Sequence, residues 1–137
     1  MALPNGAGGY QIGDGNINET IFRVVPVPAT ATATATLTAD QVLNGLLLGS
    51  PGSTAATYTL PTVAALEAAL PNSDKAGISF DFSVVNVDGS GSGVITLFTN
   101  TGWTLVGLMT VAATAGTAQA FRARKSGTGA WVLYRLA

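Results

Sequence analysis

The chain contains no cysteine and no histidine. Without cysteine there is no disulfide framework and no thiolate metal site, and the redox compartment is left open. Without histidine the commonest general base and the commonest transition-metal ligand are both missing, so the expectation is a protein that is not an enzyme. Charge is scarce as well. Charged residues make up 9% of the 137 positions, against about 25% in an ordinary soluble protein, and the formal net charge is -1. No basic stripe of the kind that holds nucleic acid is present, and no segment approaches the ~18 apolar residues of a membrane span. The opening, Met1-Ala2-Leu3-Pro4-Asn5-Gly6, lacks the positive region and the apolar run of a secretory signal. The expectation is a soluble chain synthesised in a cytoplasm, with neither nucleic acid nor membrane as partner and no cofactor or metal.

What remains is a chain rich in Thr, Ser, Ala, Gly and Asn. A surface built from such residues does little to repel its neighbours, so burial of part of it in an assembly is expected. The length suits one domain, which can bury roughly two-thirds of its unfolded surface without a staple.

The clearest structural signal lies in residues 78–98. Ile78, Phe80, Phe82 and Val84 alternate with Ser79, Asp81 and Ser83, the period of a strand with one face in the core and the other in water. The Gly/Ser run at 88–93 has no side chain able to build a core and lies at the surface. Residues 94–98 resume β-branched and aromatic character, so the stretch is expected to form a hairpin.

Around this centre the chain divides in two. Residues 1–20 carry five glycines among the isolated apolar residues Leu3, Tyr10, Ile12 and Ile17, which predicts an extended N-terminal arm. Residues 21–137 predict a β-sandwich domain. A short β-rich run at 21–25 is ended by Pro26 and Pro28, and 29–37, ATATATATL, alternates with period 2 and predicts one strand. Thr38 and Gln41 fit a capping box for a helical turn ending at Asn44-Gly45. Thr62 caps a second short helix with Val63, Leu66 and Leu70 on one face. Further strands are expected at 46–48, 58–60, 103–106, 108–112, 119–125 and 130–136, the last two joined by a four-residue loop at 126–129. Short strands, glycine-rich turns and one or two helices predict an all-β fold, a single jelly-roll-like β-sandwich.

Motifs for chemistry are few. The glycines between 6 and 15 follow no strand, open no helix and precede no lysine, so they form neither a dinucleotide fingerprint nor a P-loop. Asp88 in its Gly/Ser loop lacks the further carboxylates of a calcium site. The seven carboxylates are scattered, with no pair spaced for glycoside hydrolysis. Arg122, Arg124 and Lys125 form the only basic cluster, readable as a patch for an acidic partner or as the solvated face of a strand. Trp103, Trp131 and Tyr134 read as a sugar-binding platform, or, since Trp103 and Trp131 alternate with Thr104 and Val132, the two tryptophans read as core.

Three stretches, MALPNGAGGYQIGDGN, TLPTVAALEAALPN and FRARKSGTGAWVLYRLA, together resemble the small cement, or decoration, proteins of tailed bacteriophages. The resemblance implies a jelly roll on the outside of a shell built from a major capsid protein of the HK97-like fold. It also implies that the chain clamps neighbouring capsomers, as a homo-oligomer, with a dimer at two-fold positions ahead of a trimer at three-folds. On this reading the residues expected to meet the capsid or a partner copy are Asn5, Tyr10, Ile12 and Asp14 in the arm and Arg122 and Arg124 on a strand. The competing expectation is a glycan-binding module on a phage head or tail appendage that recognises the host surface.

Overall fold

The computed structural model describes residues 24–137 in full and the backbone of residues 3–4 and 10–11. In chain order the elements are β1 (Leu3–Pro4), β2 (Tyr10–Gln11), β3 (Ala29–Ala31), β4 (Ala35–Thr36), α1 (Ala39–Leu43), β5 (Leu46–Gly49), β6 (Ala56–Thr59) and α2 (Val63–Ala68). They continue with β7 (Ser79–Asn86), β8 (Ile95–Phe98), β9 (Trp103–Val106), β10 (Thr110–Val111), β11 (Thr117–Gly127) and β12 (Ala130–Arg135). β1 and β2 pair with each other. The rest form a six-stranded sheet, in the order β3-β5-β7-β11-β12-β9, and a four-stranded sheet, β10-β8-β6-β4.

The alternation read in the sequence sets which side of each strand is dry. Leu47, Phe82, Val84, Phe121 and Leu133 of the larger sheet and Tyr58, Ile95, Leu97 and Val111 of the smaller are buried in one core. The expected all-β, sandwich-like arrangement is therefore what the chain builds. Both helices sit where their caps were read: Thr38 and Gln41 exchange the two bonds of a capping box at α1, and Thr62 accepts from the Ala65 N–H at α2.

Connectivity departs from the expectation. From β3 to β10 each successive strand lies in the sheet opposite its predecessor. Strands two apart in sequence then become neighbours running the same way, so β3, β5 and β7 pair in parallel, as do β4, β6 and β8. β12 also runs parallel to β9. Only β7–β11, β11–β12 and β8–β10 are antiparallel within the sandwich. Greek keys are made of antiparallel strands, so these pairings do not establish jelly-roll connectivity.

Two local expectations are corrected by the same alternation. Residues 78–98 are not a hairpin: β7 and β8 lie in different sheets, and the Gly/Ser loop carries the chain from one to the other. Each strand has one apolar face, and facing sheets bury both faces against each other. Residues 29–37 are not one strand but β3 and β4, again in opposite sheets, with a bend between them. Alanine and threonine are small on both sides, so nothing on either face holds the run straight.

Candidate functional site

Among the described residues, the outer face of the six-stranded sheet carries both arginines of the basic cluster that point outward. Outward positions follow from the same period of two. Leu46 and Leu48 of β5, Ser83 and Val85 of β7, and Val132 and Tyr134 of β12 are half-buried, while Ser79, Asp81, Arg122 and Arg124 are exposed. No described element packs over them.

Register decides the chemistry at the centre of this face. Arg122 stands opposite Asp81 on β7 and Tyr134 on β12, and Arg124 stands opposite Ser79 and Val132. The Arg122 guanidinium donates to both oxygens of Asp81, Nε at 2.7 Å and Nη2 at 2.9 Å. This fork holds the Asp81 carboxyl below its ordinary range and raises Arg122, through the hydrogen bonds first and charge second. Both side chains are about half exposed, 50% and 49%, so water and salt screen the pair. Arg124 has no carboxylate partner among the described residues. It is the cation on this face that remains available to an acidic group.

The third member of the basic cluster is elsewhere. Lys125 follows the alternation inward, is 6% exposed, and donates from Nζ to Glu67 Oε1 and to the Ser73 carbonyl, each at 2.6 Å. Trp131 Nε1 also donates to Glu67 Oε1, at 3.0 Å. These two donors hold Glu67 below the ordinary carboxylate range, Lys125 contributing most. The network ties α2 to β11 and β12 and makes no surface patch.

The aromatic platform is closed by burial. Trp103 and Trp131 are 7% and 1% exposed, their rings lie 6.2 Å apart in the core, and Trp103 Nε1 donates to the Pro61 carbonyl at 2.7 Å. Tyr134 alone stays on the outer face. Asp88 accepts from the Gly52 N–H at 3.1 Å, which ties two loops together. No group of three metal-ligating side chains converges among the described residues.

Of the residues expected at the interface, the structure brings Arg122 and Arg124 onto one exposed face, two residues apart on β11. Tyr10 lies in β2 with its backbone opposite Pro4. Asn5, Ile12 and Asp14 lie outside the described residues. Asp81 was missed as a site residue because its pairing with Arg122 is set by a register between strands forty residues apart. Its outward position was already given by the alternation of 78–84.

Two cavities flank the start of β7. One, of about 250 Å³, is lined by Leu70, Pro71, Ile78, Phe80 and Trp131 among others. The other is polar, lined by Ser79, Phe80, Asp81 and Arg122, and so shares Ser79 and Phe80 with the first.

No family model, no curated protein and no solved structure matches this chain.

Proposed function

We propose that the chain is a structural, non-catalytic component of a virus particle: a cement, or decoration, protein that binds the outer surface of an HK97-like phage head and clamps neighbouring capsomers. The observation that carries this reading is the outer face of the six-stranded sheet, where half-buried apolar side chains surround one screened ion pair and one arginine that has no carboxylate partner among the described residues. Arg and Tyr, which this face presents as Arg122, Arg124 and Tyr134, are enriched in protein interfaces. Large apolar residues are also exposed elsewhere, with Phe98 at 55% and Leu108 at 65%, so more than one neighbour can be engaged. The partner is the major capsid protein, and the chain acts as a homo-oligomer, a dimer ahead of a trimer. The resemblance in the three quoted stretches adds to this. Of its jelly-roll expectation, the two facing sheets are what support the reading.

The mechanism is linkage. A protein that binds only the assembled shell stabilises that state by about 2.7 kcal/mol per site at a concentration roughly 100 times its dissociation constant. Many sites in one lattice act together. Burial of Trp103 and Trp131 removes the aromatic platform that the glycan-binding alternative requires.

Quantitative mass spectrometry of density-purified particles tests the reading. A ratio to the major shell protein near one, or a simple fraction of it, is expected. A few copies per particle would favour an appendage, and absence from particles would overturn the viral role. In a second measurement, deletion of residues 1–20 is expected to abolish capsid binding while leaving a folded domain.

A further inference from the structure

The six-stranded sheet has a gap beside β7. β5 begins at Leu46, opposite Ser83, whereas β7 begins four residues earlier at Ser79. On the other side β7 is paired with β11 along its whole length, Ser79 to Asn86. The direction of each backbone group follows from the bonds that are made. Lys125 N–H donates to the Ile78 carbonyl at 2.9 Å, so even-numbered residues face β11. Ser83 N–H donates to the Gly45 carbonyl at 3.0 Å, so odd-numbered residues face β5. The N–H and C=O groups of Ser79 and Asp81 therefore point to the side where β5 has not yet begun, and no described residue pairs with them. α1, which ends two residues before Gly45, packs against both β5 and β7, and Asn44 Nδ2 holds the Val27 carbonyl at 2.8 Å.

An unpaired strand edge is a template for a further strand. The geometry points to this gap as a strand-addition site for an extended segment of a partner protein that carries an acidic residue next to a large apolar one. The specificity comes from the two sides of the sheet. A residue of the added strand lying beside Ser79 and pointing outward is within reach of Arg124, which stands opposite Ser79, and Ser79 is small enough for the guanidinium to pass over. The adjacent residue points inward, where the 250 Å³ cavity lined by Leu70, Ile78, Phe80 and Trp131 takes an apolar side chain. A polar cavity lined by Ser79, Phe80, Asp81 and Arg122 lies along the same stretch of β7, on the outward side where the Glu of such a segment would stand. Recess beside α1 suits a single extended segment better than the edge of another folded sheet.

The N-terminal segment of this same chain does not have the required pair. Asp14 is flanked by Gly13 and Gly15, and Glu19 by Asn18 and Thr20. The occupant is therefore another protein, and its origin in a shell subunit rests on the function proposed above.

The test uses the whole chain and a blocked synthetic peptide, Thr-Val-Glu-Leu-Thr-Val, in which Glu and Leu occupy the outward and inward places. In an NMR titration the Ser79 and Asp81 amides are expected to become protected from hydrogen exchange, while those of Phe80 and Phe82, already bonded to β11, do not change. Ser79→Pro removes an N–H that β11 does not use, at the first residue of a strand, where proline is tolerated, and it is expected to weaken binding roughly tenfold. Arg124→Glu is expected to weaken the Glu peptide by a similar factor and to restore binding to a peptide with Lys in place of Glu. Binding weaker than about millimolar, unchanged affinity in Ser79→Pro, or protection spread outside the gap would overturn the assignment. A negative titration leaves the particle stoichiometry untouched, so the two readings fail separately.

Discussion

Lys125 and Glu67 share one bond but not one environment, and the difference predicts an asymmetry. Lys125 is buried, whereas the Glu67 side chain is 26% exposed and can be hydrated if its partner is lost. Glu67→Ala leaves an ammonium in the core with only the Ser73 carbonyl and an unpaired indole N–H beside it, and is expected to cost about 3 kcal/mol. Lys125→Met leaves a carboxylate that water can reach and is expected to cost about 1 kcal/mol. Denaturant unfolding of the two single variants and of Glu67→Leu with Lys125→Met checks this, the double variant recovering most of the larger loss. Tyr58 offers a second check. Its hydroxyl, raised in pKa by burial first and by Asp88 second, donates toward the carbonyls of Ala31 and Thr32 at 3.0 and 2.8 Å. Tyr58→Phe leaves the Thr32 carbonyl without this donor in the bend between β3 and β4, while the Ala31 carbonyl keeps the Ser50 N–H at 2.8 Å, and a loss of about 1 kcal/mol is expected by the same measurement.

Short elements here depend on their ends. α1 has five residues and α2 six, too few to stand alone, so a cap is a large part of what holds each in place. Thr38→Ala removes one half of the capping box and is expected to lower stability by about 1 kcal/mol in thermal melts. The turn into β9 is more exacting. Gly102 has φ of +93°, and a Cβ there would stand 2.6 Å from the Val63 Cβ and 2.8 Å from the Gly129 carbonyl. Both objections apply to alanine, so Gly102→Ala is expected to cost about 2 kcal/mol or more and to loosen α2 together with β9. The two caps were visible in the sequence because each rests on a few adjacent residues: Thr38 with Gln41, and Thr62 with its helix. The hairpin expected over 78–98 was not right, because a Gly/Ser loop says that the chain turns but carries no information on which sheet receives the next strand.

In the whole molecule, the pH response and the folding rate follow from contacts between distant segments. Glu67 and Asp81 both have carboxyl groups held below their ordinary values in the folded state by Lys125 and Arg122 respectively. The unfolded chain therefore binds more protons as acid is added. The stabilisation is complete above the ordinary carboxylate range and is lost as pH falls through the lowered folded values. A melting temperature that falls between neutral pH and pH of about 3 is expected, with a shallower fall in Glu67→Ala. High salt should reduce the exposed Asp81 contribution more than that of Glu67. Because parallel neighbours such as β5 and β7 close long loops before any bond is made, refolding is expected on the millisecond-to-second scale rather than in microseconds, measured by stopped-flow tryptophan fluorescence.

By itself the sequence determined the all-β class, the two helix caps, the dry face of most strands and the outward direction of Arg122 and Arg124. All of these depend on spacing within a few residues, where the backbone period of two or a hydrogen bond over three positions leaves one answer. Tertiary structure alone decided that successive strands cross between sheets and that Lys125 turns inward to pair with Glu67 of α2. It alone set Asp81 against Arg122 and stopped β5 short of Ser79 and Asp81. These depend on the pairing of segments tens of residues apart, whose choice is made by the summed burial of two whole faces rather than by any local pattern.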